Sequence, residues 1–160
     1  MIYILRINEI LVSVEALTQK CFPELKAYRN VVHQGFQRPS FLTEVGKQTM
    51  EDADRWAVER TAQVKLTFFE TVDAYHDSQI ETLSDRLTMA LALFSGGAVP
   101  VGDRYLDVSG AVGEVFNDYA ELSFTLSWQD DRDVTPVEGA LLEDTDITVG
   151  VNGGTLETEG

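Results

Sequence analysis

Residues 119–130 read YAELSFTLSWQD. Ala120, Leu122, Phe124, Leu126 and Trp128 alternate with Tyr119, Glu121, Ser123, Thr125, Ser127 and Gln129. That period of two is the mark of a β-strand with one buried and one solvated face. Just upstream, Arg104–Phe116 reads as a second strand, joined to the first at Asn117-Asp118, and the pair predicts an antiparallel hairpin. Gly110 and Gly113 interrupt the upstream strand and predict a bulge or a close backbone approach.

Further upstream, Arg55–Glu70 is expected to be a long strand. Ala62, Val64, Leu66 and Phe68 form its apolar side. Two helices interrupt the strands. In residues 7–21, Ile7, Ile10, Leu11, Val14, Leu17 and Cys21 make one apolar stripe at helical spacing, and Phe22-Pro23 ends it. Asp77–Phe94 carries a second stripe of Ile80, Leu83, Leu87, Leu91 and Phe94, with Met89 at or near the core. Ser78 and Glu81 fit a capping box there, and Ser95-Gly96-Gly97 stops the helix. A short strand is expected at Ala27–Val32 and a polar loop at Gly46–Asp54. The order predicts an α+β fold: a mainly antiparallel sheet with two helices packed on one face. Residues 1–130 would form that domain. Residues 131–160 would be an acidic C-terminal arm that orders only against a partner, with 147–151 as a potential strand.

Composition narrows the function. The chain has 160 residues, 44% hydrophobic and 24% charged, enough for a single core. No apolar run is long enough to span a bilayer, and the first residues lack the layout of a signal peptide. The net charge of −15 disfavours phosphate-backbone binding and anionic membranes. From Asp131 onward there are eight acidic residues and one basic, so −7 of the −15 lies there. Cys21 is the one cysteine and is read as a small buried hydrophobe; with only His33 and His76 beside it, no dedicated metal site or cofactor is expected. No phosphate loop or nucleophile elbow is present. The run Asp130-Asp131-Arg132-Asp133 lacks the EF-hand pattern and reads as a solvated charge run.

The segment VVHQGFQRPSFLTEV, residues 31–45, is the least ordinary. A chemical reading would make His33 a general base and Arg38 an anion clamp, but no nucleophile or third member completes it. The architectural reading uses Gly35 for an unusual backbone conformation, Pro39 to stiffen the entry to the next strand, and Phe36 as a ring packed beneath the helices or against a neighbour.

Phe22-Pro23-Glu24, Lys26-Ala27-Tyr28, and then Val32-His33-Gln34-Gly35-Phe36-Gln37-Arg38-Pro39-Ser40-Phe41 together resemble the tail terminator proteins of long-tailed phages and of prophages of Gram-positive hosts. The likeness runs over residues 7–130. It implies a non-enzymatic α+β protein without cofactor, forming a ring, usually a hexamer, at the head-proximal end of the tail tube. The ring ends tube polymerisation and docks the head connector or a head-completion protein, with DNA free to pass through it and no membrane or sequence-specific nucleic-acid contact. The location implied is the virion tail, and the host cytoplasm during assembly. The family loop maps to Gly46–Asp54. The candidate interface or architectural residues are Gln34, Gly35, Phe36, Arg38, Pro39, Met50 and Trp56; catalytic and metal residues are none. Another head–tail connector or neck protein is the alternative within the same particle. A small α+β ligand-binding domain or enzyme, marked by an apolar pocket with converging polar groups, is the alternative outside it.

Overall fold

A computed structural model describes residues 4–71 and 80–131. In chain order these form α1 (Ile7–Cys21), β1 (Lys26–Arg29), β2 (Ser40–Asp52), β3 (Ala57–Phe69), α2 (Ile80–Phe94), β4 (Ala98–Val101), β5 (Arg104–Val115) and β6 (Tyr119–Asp131). All six strands belong to one sheet, ordered β1-β2-β3-β6-β5-β4. Every pairing is antiparallel except β1 with β2, which is parallel. The α+β architecture expected from the sequence is the one observed.

The centre of the sheet is the β3–β6 pair, in register without a break from Ala57↔Asp131 to Phe69↔Tyr119. Because side chains alternate, this register puts Ala62, Val64, Leu66 and Phe68 on the same face as Ala120, Leu122, Phe124, Leu126 and Trp128. Both helices cover that face. Ile10, Leu11 and Val14 of α1, and Leu83, Leu87, Ala90 and Phe94 of α2, are buried against it. Phe94 stacks on Phe124 at 4.6 Å, and Phe22 meets Phe68 edge-on at 5.4 Å. α1 touches both β2 and β4, near opposite ends of the strand order, so the sheet curls around the helices.

Both glycines of the β5 reading have structural roles. Gly110 lies at φ +63° where the β5–β6 register slips between Ser109 and Val112, so it is a bulge residue. Gly113 is where α2 comes closest: a Cβ there would stand 2.6 Å from Leu87 Cδ1.

Several expectations are corrected. Gly46–Asp54 is not a loop; β2 continues to Asp52, paired with β3 through Asp52↔Val58, with one bulge between Val45 and Gln48. This half of the strand is exposed on both sides, so it has no hydrophobic alternation to reveal it. The turn is confined to residues 53–56, and β3 starts at Ala57, two residues after the expected Arg55. The first short strand ends at Arg29, because Asn30 turns the chain with φ +71°. β4 was not anticipated; four residues with a central proline carry too little pattern. Met89 is exposed, as it faces away from the sheet one position before buried Ala90, and Ile80 is exposed too. Cys21 is only partly buried, at the open end of α1; burial and nearby Glu24 push its thiol pKa up. The Ser78 cap, His76 and the 132–160 segment lie outside the described residues.

Candidate functional site

The helix-covered face of the sheet is filled by the core, and the candidate residues lie on the opposite face and at the two ends of the strands. At one end, β1, β2, β3 and β6 bring together an aromatic group. Tyr28 and Phe69 lie on the face opposite the core, paired across from Leu42 and Tyr119 respectively. The 30–39 segment folds over them. Phe36 packs edge-on against Phe69 at 4.7 Å and Tyr28 at 6.0 Å, and Phe116 stacks on Tyr119 at 4.7 Å.

Arg38 holds this group together. Its guanidinium sits 5.0 Å from the Phe36 ring centre and 5.3 Å from that of Phe69. It donates to the main-chain oxygens of Glu70 (2.8 Å) and Asp118 (3.3 Å) and pairs with the Asp118 carboxylate at 3.5 Å. One side chain therefore ties the loop to the end of β3 and the start of β6. The Tyr28 hydroxyl accepts from the Gln37 amide at 2.8 Å, and the Pro39 carbonyl accepts from the Lys26 amide. Gly35 has φ +77°, a conformation opposed by a Cβ, and the Arg38–Pro39 peptide is cis. Gln34 and His33 are exposed.

The Arg38 guanidinium is engaged by two main-chain oxygens, the Asp118 carboxylate and two rings. Phe36 is half-buried, but on the face away from the helices rather than beneath them.

The other sequence-predicted residues lie elsewhere. Met50 and Trp56 sit near the turn between β2 and β3, at the opposite end of the long strands from Phe69, and are 62% and 60% exposed. The Trp56 amide donates to Asp54 Oδ1 at 2.7 Å, and Arg55 stacks over the Trp56 ring at 5.0 Å. The tip is thus locally ordered while presenting large apolar side chains to solvent. The structure does not bring the two groups of candidates together.

Sequence reasoning missed a third feature. Asp130 is buried, not part of a solvated run. It receives Arg60 Nη1 at 2.8 Å, Arg104 Nη1, and Trp128 Nε1 at 3.2 Å, while Arg60 also donates to the Leu5 carbonyl. Burial pushes the Asp130 carboxyl pKa up, and the hydrogen bonds from Arg60, Arg104 and Trp128 outweigh it, holding the group below its ordinary value. The clue was in the alternation: position 130 continues the even-numbered series 120 to 128 that faces the core. A second buried carboxylate, Glu70, meets Arg86 of α2, which also reaches Glu24 at 2.7 Å. Hydrogen bonding to Arg86 lowers the Glu24 pKa.

Between the two ends, the open face is a ladder of hydroxyls, amides and charges. Lys65 lies 3.6 Å from both Glu44 and Glu121, and the Thr49 and Thr61 hydroxyls bond across strands. One of its shallow depressions is lined by Glu44, Val45, Gly46, Gln63, Lys65 and Ser123. Among the described residues, no cluster of three or more His, Cys, Asp or Glu is placed to hold a metal, and no helix is long and apolar enough to cross a membrane.

A search of curated proteins finds no match. Among solved structures, one chain aligns over 81% of this protein and 94% of its own length, at 12% identity and a TM-score of 0.40, a likeness too loose to add to an assignment. A family profile described as phage tail terminator protein matches residues 9–138, most of the chain. That span takes in the 30–39 loop, α1 from its third residue, α2 and all six strands, so the chain belongs to the phage tail terminator family, a family of structural proteins of the virion tail.

Proposed function

We propose that this protein forms a closed ring, a hexamer by family resemblance, at the head-proximal end of the tail tube, where it ends tube polymerisation and docks the head connector. The role needs self-association and shape, and no catalysis. Subunits would assemble in the host cytoplasm and remain at the head–tail junction.

The observation that carries the reading is the β2–β3 tip. Met50 and Trp56 are large, apolar and exposed close together at this tip, and Arg55 stacks over the Trp56 ring. Aromatic and Met side chains of this kind are enriched in the centres of protein interfaces. A ring is a heterologous assembly, so the tip of one subunit must meet a different surface on the next. The Phe36–Arg38 loop, at the other end of the same strands, is positioned to face a separate partner: tube or connector.

Size-exclusion chromatography with light scattering across a concentration series, followed by negative-stain imaging, tests this. The expected result is a discrete oligomer with a central opening that binds one end of tail tubes. A monomer at every concentration, with and without tubes, would overturn it. A ring that binds connectors but leaves tubes growing would favour a neck protein of another kind.

A further inference from the structure

The face of the sheet opposite the core carries a depression of about 540 Å³, at the end of the strands nearest the β2–β3 turn. Glu59 of β3, Ser127 and Gln129 of β6, and Tyr105 and Asp107 of β5 line it. Register brings them together: Glu59 pairs with Gln129, and Ser127 with Asp107. Below them, Arg104 turns its guanidinium to the Asp130 carboxylate and the Gln129 carbonyl, and Trp128 Nε1 donates to the same carboxylate, which braces the floor. The rim is left unsatisfied. Tyr105 is 75% exposed, and among the described residues neither Glu59 nor Asp107 has an ion-pair partner. An aromatic ring beside two unpaired carboxylates suits a cation. It suits a guanidinium best, which stacks on the ring and bonds the carboxylates together.

We infer that this depression receives the β2–β3 turn of a neighbouring copy of this chain, with Arg55 seated on Tyr105 between Glu59 and Asp107. The turn carries the matching chemistry. Arg55 is exposed, has the Trp56 ring as its partner at 5.0 Å, and among the described residues pairs with no carboxylate. Trp56 and Met50 at the same tip are 60% and 62% exposed. They supply the apolar area that shields such an ion pair from water.

Turn and depression are both described in one subunit, and that subunit does not join them. The turn is held by its own bonds: the Ala53 and Asp54 amides donate to the Ala57 carbonyl at 3.1 and 3.2 Å, and the Trp56 amide to Asp54 Oδ1 at 2.7 Å. Tyr105 and Asp107 lie on β5, two strands away from β3, a distance of roughly 10 Å. The contact therefore belongs between copies. Heights along the strands agree with this. Counting from Ala57, Glu59 is two residues on, and the row Thr61–Ser127–Asp107 four, which is roughly 7 and 14 Å. Rotation about an axis along the strands keeps height, so the turn of one copy reaches the depression of the next without a shift. The two patches differ, as a heterologous closed ring needs. In a subunit of net charge −15, this is a place where a cation of one copy faces carboxylates of the next. The inference rests on the ring reading above and names the surface that the tip meets.

The test compares the full chain with Arg55→Glu, Asp107→Arg, the double variant, and an equal mixture of the two single variants, by light scattering across a concentration series. Both positions are exposed, so subunit melting should shift by no more than about 2 °C. Each single variant should raise the concentration of half-assembly about tenfold, because like charges then face each other. For Asp107→Arg this loss comes although the substitution lowers the net negative charge, the opposite of what overall repulsion predicts. The double variant should recover to within about threefold of wild type. The mixture should recover as well, because in an alternating ring every contact again joins opposite charges. Recovery in the double variant without recovery in the mixture places the pair within one subunit and overturns the contact between copies. Single variants that assemble like wild type, or losses that simply add in the double variant, overturn the inference while the ring reading stands. Failure of the wild type to form rings overturns the ring reading, and this inference with it.

Discussion

Phe36 and His33 stand three residues apart in one loop and differ in almost every physical respect. Phe36 touches two rings and a guanidinium; His33 is exposed. Truncating a half-buried aromatic with several ring contacts costs about 2 kcal/mol. Phe36→Ala should therefore lower the denaturant midpoint by that amount, whereas His33→Ala should stay within about 0.5 kcal/mol. A silent Phe36→Ala beside a His33→Ala that is folded but inactive would return the loop to a chemical reading. Asp130 gives a pH-dependent prediction. Its folded pKa is depressed, so its contribution is present above the unfolded value, near 3.9, and is lost as pH falls through the folded one. Asp130→Asn leaves Arg60 and Arg104 without their buried partner and should cost about 3 kcal/mol at pH 7. Melting curves should show the gap between wild type and variant narrowing below about pH 4; a gap that is constant from pH 7 to pH 3 would contradict the assignment.

Among the elements, α2 packs closely on β5 at Gly113. The missing side chain of Gly113 is what lets Leu87 reach the sheet. Gly113→Ala should force Leu87 to repack at a cost of about 1–3 kcal/mol, readable by thermal unfolding, and Leu87→Ala in the same chain should relieve the clash rather than add to it. The β2–β3 tip is the opposite case, because Met50 and Trp56 support no core. Met50→Ala and Trp56→Ala should leave subunit stability within about 0.5 kcal/mol and still weaken or abolish oligomer formation, measured by light scattering. Equal oligomerisation of wild type and the double variant would remove the tip from the interface.

For the whole molecule, charge sets the conditions of assembly. At −15 per subunit, closing a ring crowds like charges. Salt screens such repulsion over a Debye length of about 10 Å at 0.1 M. The oligomer should form more readily at moderate than at low ionic strength. Sedimentation velocity at two salt concentrations measures this directly, and an oligomer that dissociates as salt rises from low to moderate would show that attraction between charges, and not apolar contact, holds the ring.

The residues that bury one face and expose the other were legible in the sequence. The alternations of 62–68 and 120–128 and the stripes of both helices required no tertiary information, because periodicity follows from local backbone geometry. Those patterns determined the α+β class, and the aromatic-glycine-proline loop pointed to an architectural segment. Tertiary structure decided the rest. Residues 46–52 became strand because β3 offered hydrogen bonds on one side, and a strand exposed on both faces leaves no periodic trace. Asp130 was buried because Arg60 and Arg104, distant in sequence, converge on it and compensate its desolvation. Phe36 settled on the open face because Tyr28 and Phe69 arrive there from two different strands. Each of these depends on which residues distant in sequence come to share a face or an edge, and short-range pattern does not contain that pairing.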